Sequence, residues 1–215
     1  MNAQAGAPAE GAPFDAVAAC LAVLGTLFRI PPDDPSAIPV LAFLRGSDLG
    51  ADWPLGAPEP LGVIQRQIAQ DRNPAGEEAA TAWRRLFIGP GHFVAPPWGS
   101  VYLDKDNVLF GDSLWELRAF LERRGIALES GLNEPEDHIG LLLQLASDLA
   151  GRGDDAALRE LLAEHLLPWS TRYLDLLATE GGHPFYTGLA DLTALTLRAL
   201  ADRMDLRPAY RILHF

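Results

Sequence analysis

The sequence predicts an all-helical, single globular domain of roughly eight to eleven helices. Three observations carry that prediction. Apolar residues recur three and four positions apart in window after window. Glycine and proline punctuate those windows at helix-length intervals. No pair of alternating segments reads as a β-hairpin and no repeated unit emerges, although residues 100–108 have the composition for a brief extended stretch.

Each element follows in order. Residues 1 to about 12, rich in Ala, Gly and Pro, predict a disordered leader, with one domain spanning 13–215. Val17, Leu21, Leu24 and Phe28 share a helical face that Pro31-Pro32 ends. Residues 38–45 suit a short helix, and the Gly/Pro-rich stretch from Gly46 to Pro60 suits a loop. Leu61–Ala69 and Glu77–Phe87 read as two helices around Asn73-Pro74, the second carrying Trp83, Leu86 and Phe87. Helical periodicity then disappears from Ile88 to Asp112. A long irregular stretch between helices calls for a reason, and binding is a common one. The alternative is that Trp98 and Tyr102 plug a gap between helices.

Ser113 followed by Glu116 matches a capping box, with Gly125 at the far end of that helix. Asn133 and Glu136 repeat the pattern, which starts the next helix at Glu134 and runs it to Ala150, before Gly151 and Gly153. Asp154 caps a helix that Pro168 stops. Ser170 or Thr171 restarts one through Leu177, Gly181-Gly182 closes it, and Phe185–Met204 forms the last long helix.

Composition excludes several classes of function. Formal net charge is -12, with sixteen Arg and the single Lys105, and no basic run exists to track a phosphate backbone. Nucleic acid is therefore excluded as the expected partner, and a cationic peptide is favoured. The single Cys20 cannot form an internal disulfide, which suits a reducing compartment. The uncharged run Ala16–Phe28 follows Glu10 and Asp15 with no basic residue before Arg29, so it lacks the basic flank of a signal peptide. At thirteen residues it is also too short to span a bilayer. A cytoplasmic protein is the expectation.

The densest ionisable chemistry is Glu134-Pro135-Glu136-Asp137-His138. If Asn133 is an N-cap, Glu134, Pro135 and Glu136 fill the first helical turn. Proline is tolerated there, and carboxylates complement the helix's positive end by about 0.3–1 kcal/mol each. Capping accounts for Glu136. His138 heads the apolar line Leu142, Leu145, Leu149 and belongs at the core's edge, leaving Asp137 on the flank as the best candidate for a cationic ligand. His165, Pro168 and Trp169 form a second cluster, with His165 near a helix's negative end, where a charged imidazole is favoured. His183 and Phe185 open the last helix and read as capping and packing.

No His-x-x-x-His or cysteine pair marks a metal site, and no Gly-x-Ser-x-Gly elbow or glycine-rich phosphate loop is present. No metal, cofactor or catalytic residue is expected. A metal-dependent hydrolase built on Asp137 and His138, with His92, His165 or His183 as a distant ligand, is kept as an alternative. A helical adaptor for a mature redox subunit is another.

Five segments taken together resemble one family. They are Pro96-Pro97-Trp98-Gly99-Ser100-Val101-Tyr102-Leu103-Asp104, Val108-Leu109-Phe110-Gly111-Asp112-Ser113, Asn133 to His138, His165 to Ser170 and Gly182-His183-Pro184-Phe185-Tyr186. In this order they resemble the TorD/DmsD family of redox-enzyme maturation chaperones, and the resemblance extends over essentially the folded chain. It implies an all-helical cytoplasmic chaperone, not an enzyme. Such a protein binds the twin-arginine signal peptide of a molybdenum-containing oxidoreductase of the dimethyl sulfoxide reductase type. It delays export until cofactor insertion, with transient contact to the Tat translocase. The resemblance implies a peptide site formed by Trp83, Phe87, Pro97, Trp98, Ser100, Tyr102, Glu134, Pro135, Asp137 and His138. Glu136, His165, Pro168, Trp169, His183 and Phe185 take structural or rim positions. Gly99 departs from the pattern, standing where relatives usually carry a larger polar or acidic residue.

Overall fold

The computed structural model describes residues 14–89, 92–105, 111–128 and 134–215. The leader expected at 1–12 and the expected N-cap Asn133 lie outside them, as do residues 106–110 of the expected extended stretch.

Eleven α-helical segments are present among the described residues. The apolar faces anticipated from spacing become α1 (Phe14–Arg29), α2 (Ile38–Gly46), α4 (Pro58–Ile68) and α5 (Ala79–Phe87). Between α2 and α4, the expected loop contains one helical turn, α3 (Leu49–Asp52), because the Asp48 carboxylate accepts from the Gly50 N–H at 3.0 Å. The helix after Pro74 starts at Ala79 rather than at Glu77. In the supposed extended stretch, Gly99–Leu103 is instead a short helix, α6.

Helix α7 (Asp112–Arg124) ends as expected on a left-handed Gly125, φ 63°. Its start differs. Gly111 is the N-cap and contributes no side chain. Ser113 instead donates through Oγ and its amide to the Asp104 carboxylate, at 2.6 and 3.1 Å. The capping box fails because a better acceptor arrives from α6.

Helix α8 (Ile139–Arg152) begins five residues later than expected and includes Gly151. His138, not Asn133, is its N-cap, so Glu134 to Asp137 precede the helix. Helices α9 (Asp155–Glu160) and α10 (Leu167–Glu180) are joined by a π turn, Leu161–Leu166, rather than separated at Pro168. Proline would lack an amide and clash with a carbonyl one α-turn earlier, and the wider turn relieves both problems. The Trp169 indole donates to the His165 carbonyl at 2.8 Å, supplying a partner at this irregular point. Helix α11 (Pro184–Arg203) completes the set.

The most extensive contact between helices is α1 on α8, followed by α11 on α4 and on α10. The first depends on two glycines. A Cβ at Gly25 would lie 2.9 Å from the Gly140 carbonyl oxygen, and one at Gly140 would lie 3.0 Å from the Gly25 carbonyl oxygen. The helices therefore cross with their backbones in contact, which holds the N-terminus of α8 rigidly against α1. Leu21, Leu24, Phe28, Leu142, Leu145 and Tyr173 are among the buried residues of the resulting core. No helix among the described residues is long and apolar enough to cross a membrane.

Candidate functional site

The site is assembled where the proline-rich loop before α6 meets the segment before α8. Prolines 96 and 97 cannot donate, but Pro97 can accept, and its carbonyl takes the Ile139 N–H at 2.8 Å. The Gly99 N–H donates to the Asp137 carbonyl at 3.2 Å, and Trp98 and His138 form an antiparallel bridge. Residues 97–99 and 137–139 are thereby fixed side by side, although nearly forty positions separate them in sequence.

Asp137 is buried, 5 % exposed. Its Oδ2 accepts from the Ser100 N–H at 2.6 Å and so caps α6, whose own N-cap residue offers no side chain. Its Oδ1 is buried without a hydrogen-bond partner. Burial pushes the carboxyl above its ordinary range, opposed by the Ser100 N–H and reinforced by Glu136 nearby. Asp137 was expected on a flank between core and solvent; the bridge to the proline-rich loop draws it inside.

His138 is equally buried, and its Nδ1 accepts from the Gly140 N–H at 3.1 Å. An acceptor nitrogen requires neutral imidazole, and burial with the Arg29 guanidinium holds the pKa at about 3. The core-edge placement read from its spacing agrees with this burial.

Segment 134–138 separates two cavities. On one side lies an acidic cavity of about 110 Å³, with Asp137, Asp104, Asp112, Glu116, Glu164 and Arg211 in its wall. That is room for one side-chain head or a few waters rather than a peptide backbone. On the other side Glu134, His138 and Arg29 line a small cleft whose apolar wall is Phe28, Trp83, Phe87 and Ile88. Ile88 is 63 % exposed there. Trp98 stands between Glu134 and His138: its indole N–H donates to Glu134 Oε1 at 2.5 Å, and its ring meets His138 and Phe93 edge-on.

The other residues singled out from sequence are distributed around this arrangement. Trp83 and Phe87 pack against each other on α5 with little exposed surface, and Pro97 and Pro135 are buried. Ser100 and Tyr102 have no exposed surface at all. Tyr102 stacks on Trp169 and touches Tyr173 and Phe215, so it supports the site from beneath, whereas Ser100 lines the acidic cavity beside Asp137. Gly99 is part of the same packing, because a Cβ there would lie 2.8 Å from Trp169 Nε1.

Glu136 is not a helix cap. It forms a two-bond ion pair with Arg118, at 3.0 and 2.9 Å, because α8 begins after it. His165 lies in the π turn, against Phe120, and burial lowers its pKa, so the charged imidazole expected at a helix end is disfavoured. Pro168 is half-buried and Trp169 fully so. His183 caps α11 by accepting the Phe185 N–H at 3.2 Å, with Phe185 buried behind it.

Asp104, Asp112, Glu116, Glu164 and Arg211 were not found by sequence reading. They come from four different elements, and no linear spacing connects them to Asp137. Among the described residues no three His, Cys, Asp or Glu side chains gather as a metal-binding set, which leaves the hydrolase alternative without ligands there.

Comparison with known proteins matches this geometry to a family. A family model described as nitrate reductase delta subunit matches residues 51–175, which include both halves of the site. The Tat proofreading chaperone DmsD of Salmonella typhi is 46% identical over 175 residues, covering 81% of this chain and 84% of that protein. The chain belongs to the TorD/DmsD family of redox-enzyme maturation chaperones. Chaperone protein YcdY of Escherichia coli is 33% identical over 186 residues, covering 85% of this chain and 92% of that protein. The crystal structure of an Archaeoglobus fulgidus protein assigned to redox enzyme maturation shares the fold at a TM-score of 0.52 and 14% identity, covering 89% of this chain and 98% of that one. Membership in the TorD/DmsD family makes the chain a chaperone rather than an enzyme.

Proposed function

We propose that this chain is a cytoplasmic Tat proofreading chaperone. It binds the twin-arginine leader of a molybdenum-containing oxidoreductase precursor, of the dimethyl sulfoxide reductase type, and holds back export until the cofactor is in place. Its relatives' names supply the class of role. The observation that carries the peptide reading is the buried Asp137 carboxylate, whose Oδ1 has no hydrogen-bond partner at the wall of an acidic cavity. A carboxylate held in such a place is stabilised by an incoming cation that brings its own donors.

A twin-arginine leader has two guanidinium groups beside an apolar stretch. In this reading one guanidinium enters the cavity beside Asp137 and the other meets Glu134. Leucine or phenylalanine side chains of the leader cover Trp98, Ile88 and the cleft over Trp83 and Phe87. Two charge-assisted contacts of about 1.5–3 kcal/mol and two apolar anchors of similar size give a gross attraction near 10 kcal/mol. After an association cost of at least about 4 kcal/mol, an affinity no tighter than tens of micromolar is expected.

Calorimetric titration with a synthetic leader tests this directly. Replacing both leader arginines by lysine keeps the charge and removes the bidentate fork, and affinity should fall at least about tenfold. Equal binding of the two peptides would end the ion-pair assignment. Pull-down of precursor with and without its leader separates leader recognition from the adaptor alternative, since an adaptor retains the leaderless protein.

A further inference from the structure

An arginine of the chain itself already lines the acidic cavity. After α11 the chain runs from Asp205 to Phe215 without regular secondary structure, back across the mouth of this cavity. Arg211 lies in the cavity wall, with its guanidinium 2.8 Å from Glu116 and 4.0 Å from Glu164. The segment is held at further places, among them Phe215, whose carbonyl accepts from the Arg172 guanidinium at 3.3 Å and whose ring meets Tyr102 edge-on. Ala209 donates its N–H to the Ala163 carbonyl at 2.9 Å, and His214 donates its N–H to the Tyr102 carbonyl at 2.9 Å. The residues beside Arg211 are apolar and face water: Tyr210 is 91 % exposed, Ile212 65 % and Leu213 38 %.

An extended segment with an arginine followed by exposed apolar side chains has the chemistry of the leader ligand. We infer that residues 207–215 act as an internal pseudo-ligand, with Arg211 paired to Glu116 in the wall of the cavity that Asp137 also lines, until a leader arginine displaces it. This rests on the leader-binding reading above and extends it to the regulation of the same site. Two features support it independently of the acidic cluster. Asp137 Oδ1 remains unpartnered at the cavity wall although Arg211 is present, so the internal arginine does not satisfy the site fully. The Arg211 ion pair that has to break is half-exposed, so its release costs little. An internal competitor lowers the apparent affinity of the true ligand by the fraction of molecules in which the site is open.

The experiment compares the full chain with its Arg211→Gln variant by fluorescence anisotropy, using a labelled synthetic twin-arginine leader. Circular dichroism confirms that both are folded. Arg211→Gln should bind the leader about tenfold more tightly. Hydrogen exchange adds a readout that a purely structural Arg211 would not move: saturating the wild-type chain with leader should accelerate exchange of the Ala209 and His214 amides. Leader binding of equal strength in both proteins, with those amides still protected, overturns the pseudo-ligand and leaves the leader reading intact. Failure of both proteins to bind the leader overturns the leader reading, and the pseudo-ligand with it.

Discussion

The backbone N–H of Ser100 donates to Asp137 Oδ2 at 2.6 Å, so a residue just before α8 caps α6, a helix from a different part of the chain. The other Asp137 oxygen has no hydrogen-bond partner. One carboxylate oxygen therefore serves the architecture while the other is left without a partner, and substitutions can separate the two.

Asp137→Asn keeps an acceptor for Ser100 and removes the charge. Because burial raises the native carboxyl pKa above its value in the unfolded chain, the native state holds a proton more tightly, and stability is lost as pH rises through that interval. The Asn variant should therefore be at least as stable as wild type at neutral pH, with the difference closing below about pH 4. Leader affinity should nevertheless fall about tenfold. Thermal unfolding across pH, beside calorimetric titration, checks both halves.

His138 has the opposite sign. Neutral when folded, with a pKa of about 3 against 6.5 in the unfolded chain, it contributes stability that is lost as pH falls below 6.5. Roughly 1.5–2 kcal/mol should disappear between pH 6.5 and 5 from this group alone. His138→Asn retains an acceptor for the Gly140 N–H and should show a shallower acid limb in urea titrations at each pH.

Trp98 separates apolar contact from its hydrogen bond to Glu134. Trp98→Phe keeps most of the ring area and should weaken leader binding only about two- to threefold. Trp98→Ala removes the platform and should cost about 2 kcal/mol, close to thirtyfold. Equal losses in the two variants would assign the effect to the Glu134 hydrogen bond instead.

The α1–α8 crossing predicts an effect on stability away from the ligand. Gly25→Ala places a methyl group against the Gly140 carbonyl, where only backbone movement makes room. Destabilisation of about 1–3 kcal/mol is expected in chemical denaturation. Through the start of α8 it should also disturb the His138 cap, visible as faster exchange of the Gly140 amide.

The helices were legible in sequence wherever an apolar face repeats, as in α1, α4, α7 and α11, because burial of that face is itself what stabilises them. Helix ends were less legible. Ser113 has the residue type for a cap but bonds to Asp104, and Glu136 has the type for a first-turn carboxylate but pairs with Arg118. In both cases a partner distant in sequence outcompeted the local one. Pro168 reads as a stop, and a π turn carries the helix past it because Trp169 and the core around it hold both sides in place.

Asp137 and His138 stand out in the sequence because so many ionisable groups precede an apolar helix, and their family context is written in the ordered motifs around them. Sequence by itself thus determined the helical class and the acidic character, and it singled out the five-residue segment 134–138. Only the tertiary structure decided that Asp137 is buried, that the segment separates an acidic cavity from an apolar cleft, and that Arg211 lies at the first of these. The physical reason is that periodicity reports burial along one helix. The direction of a carboxylate, and the charges gathered around it, depend on which distant backbone amides and side chains packing brings within hydrogen-bond reach.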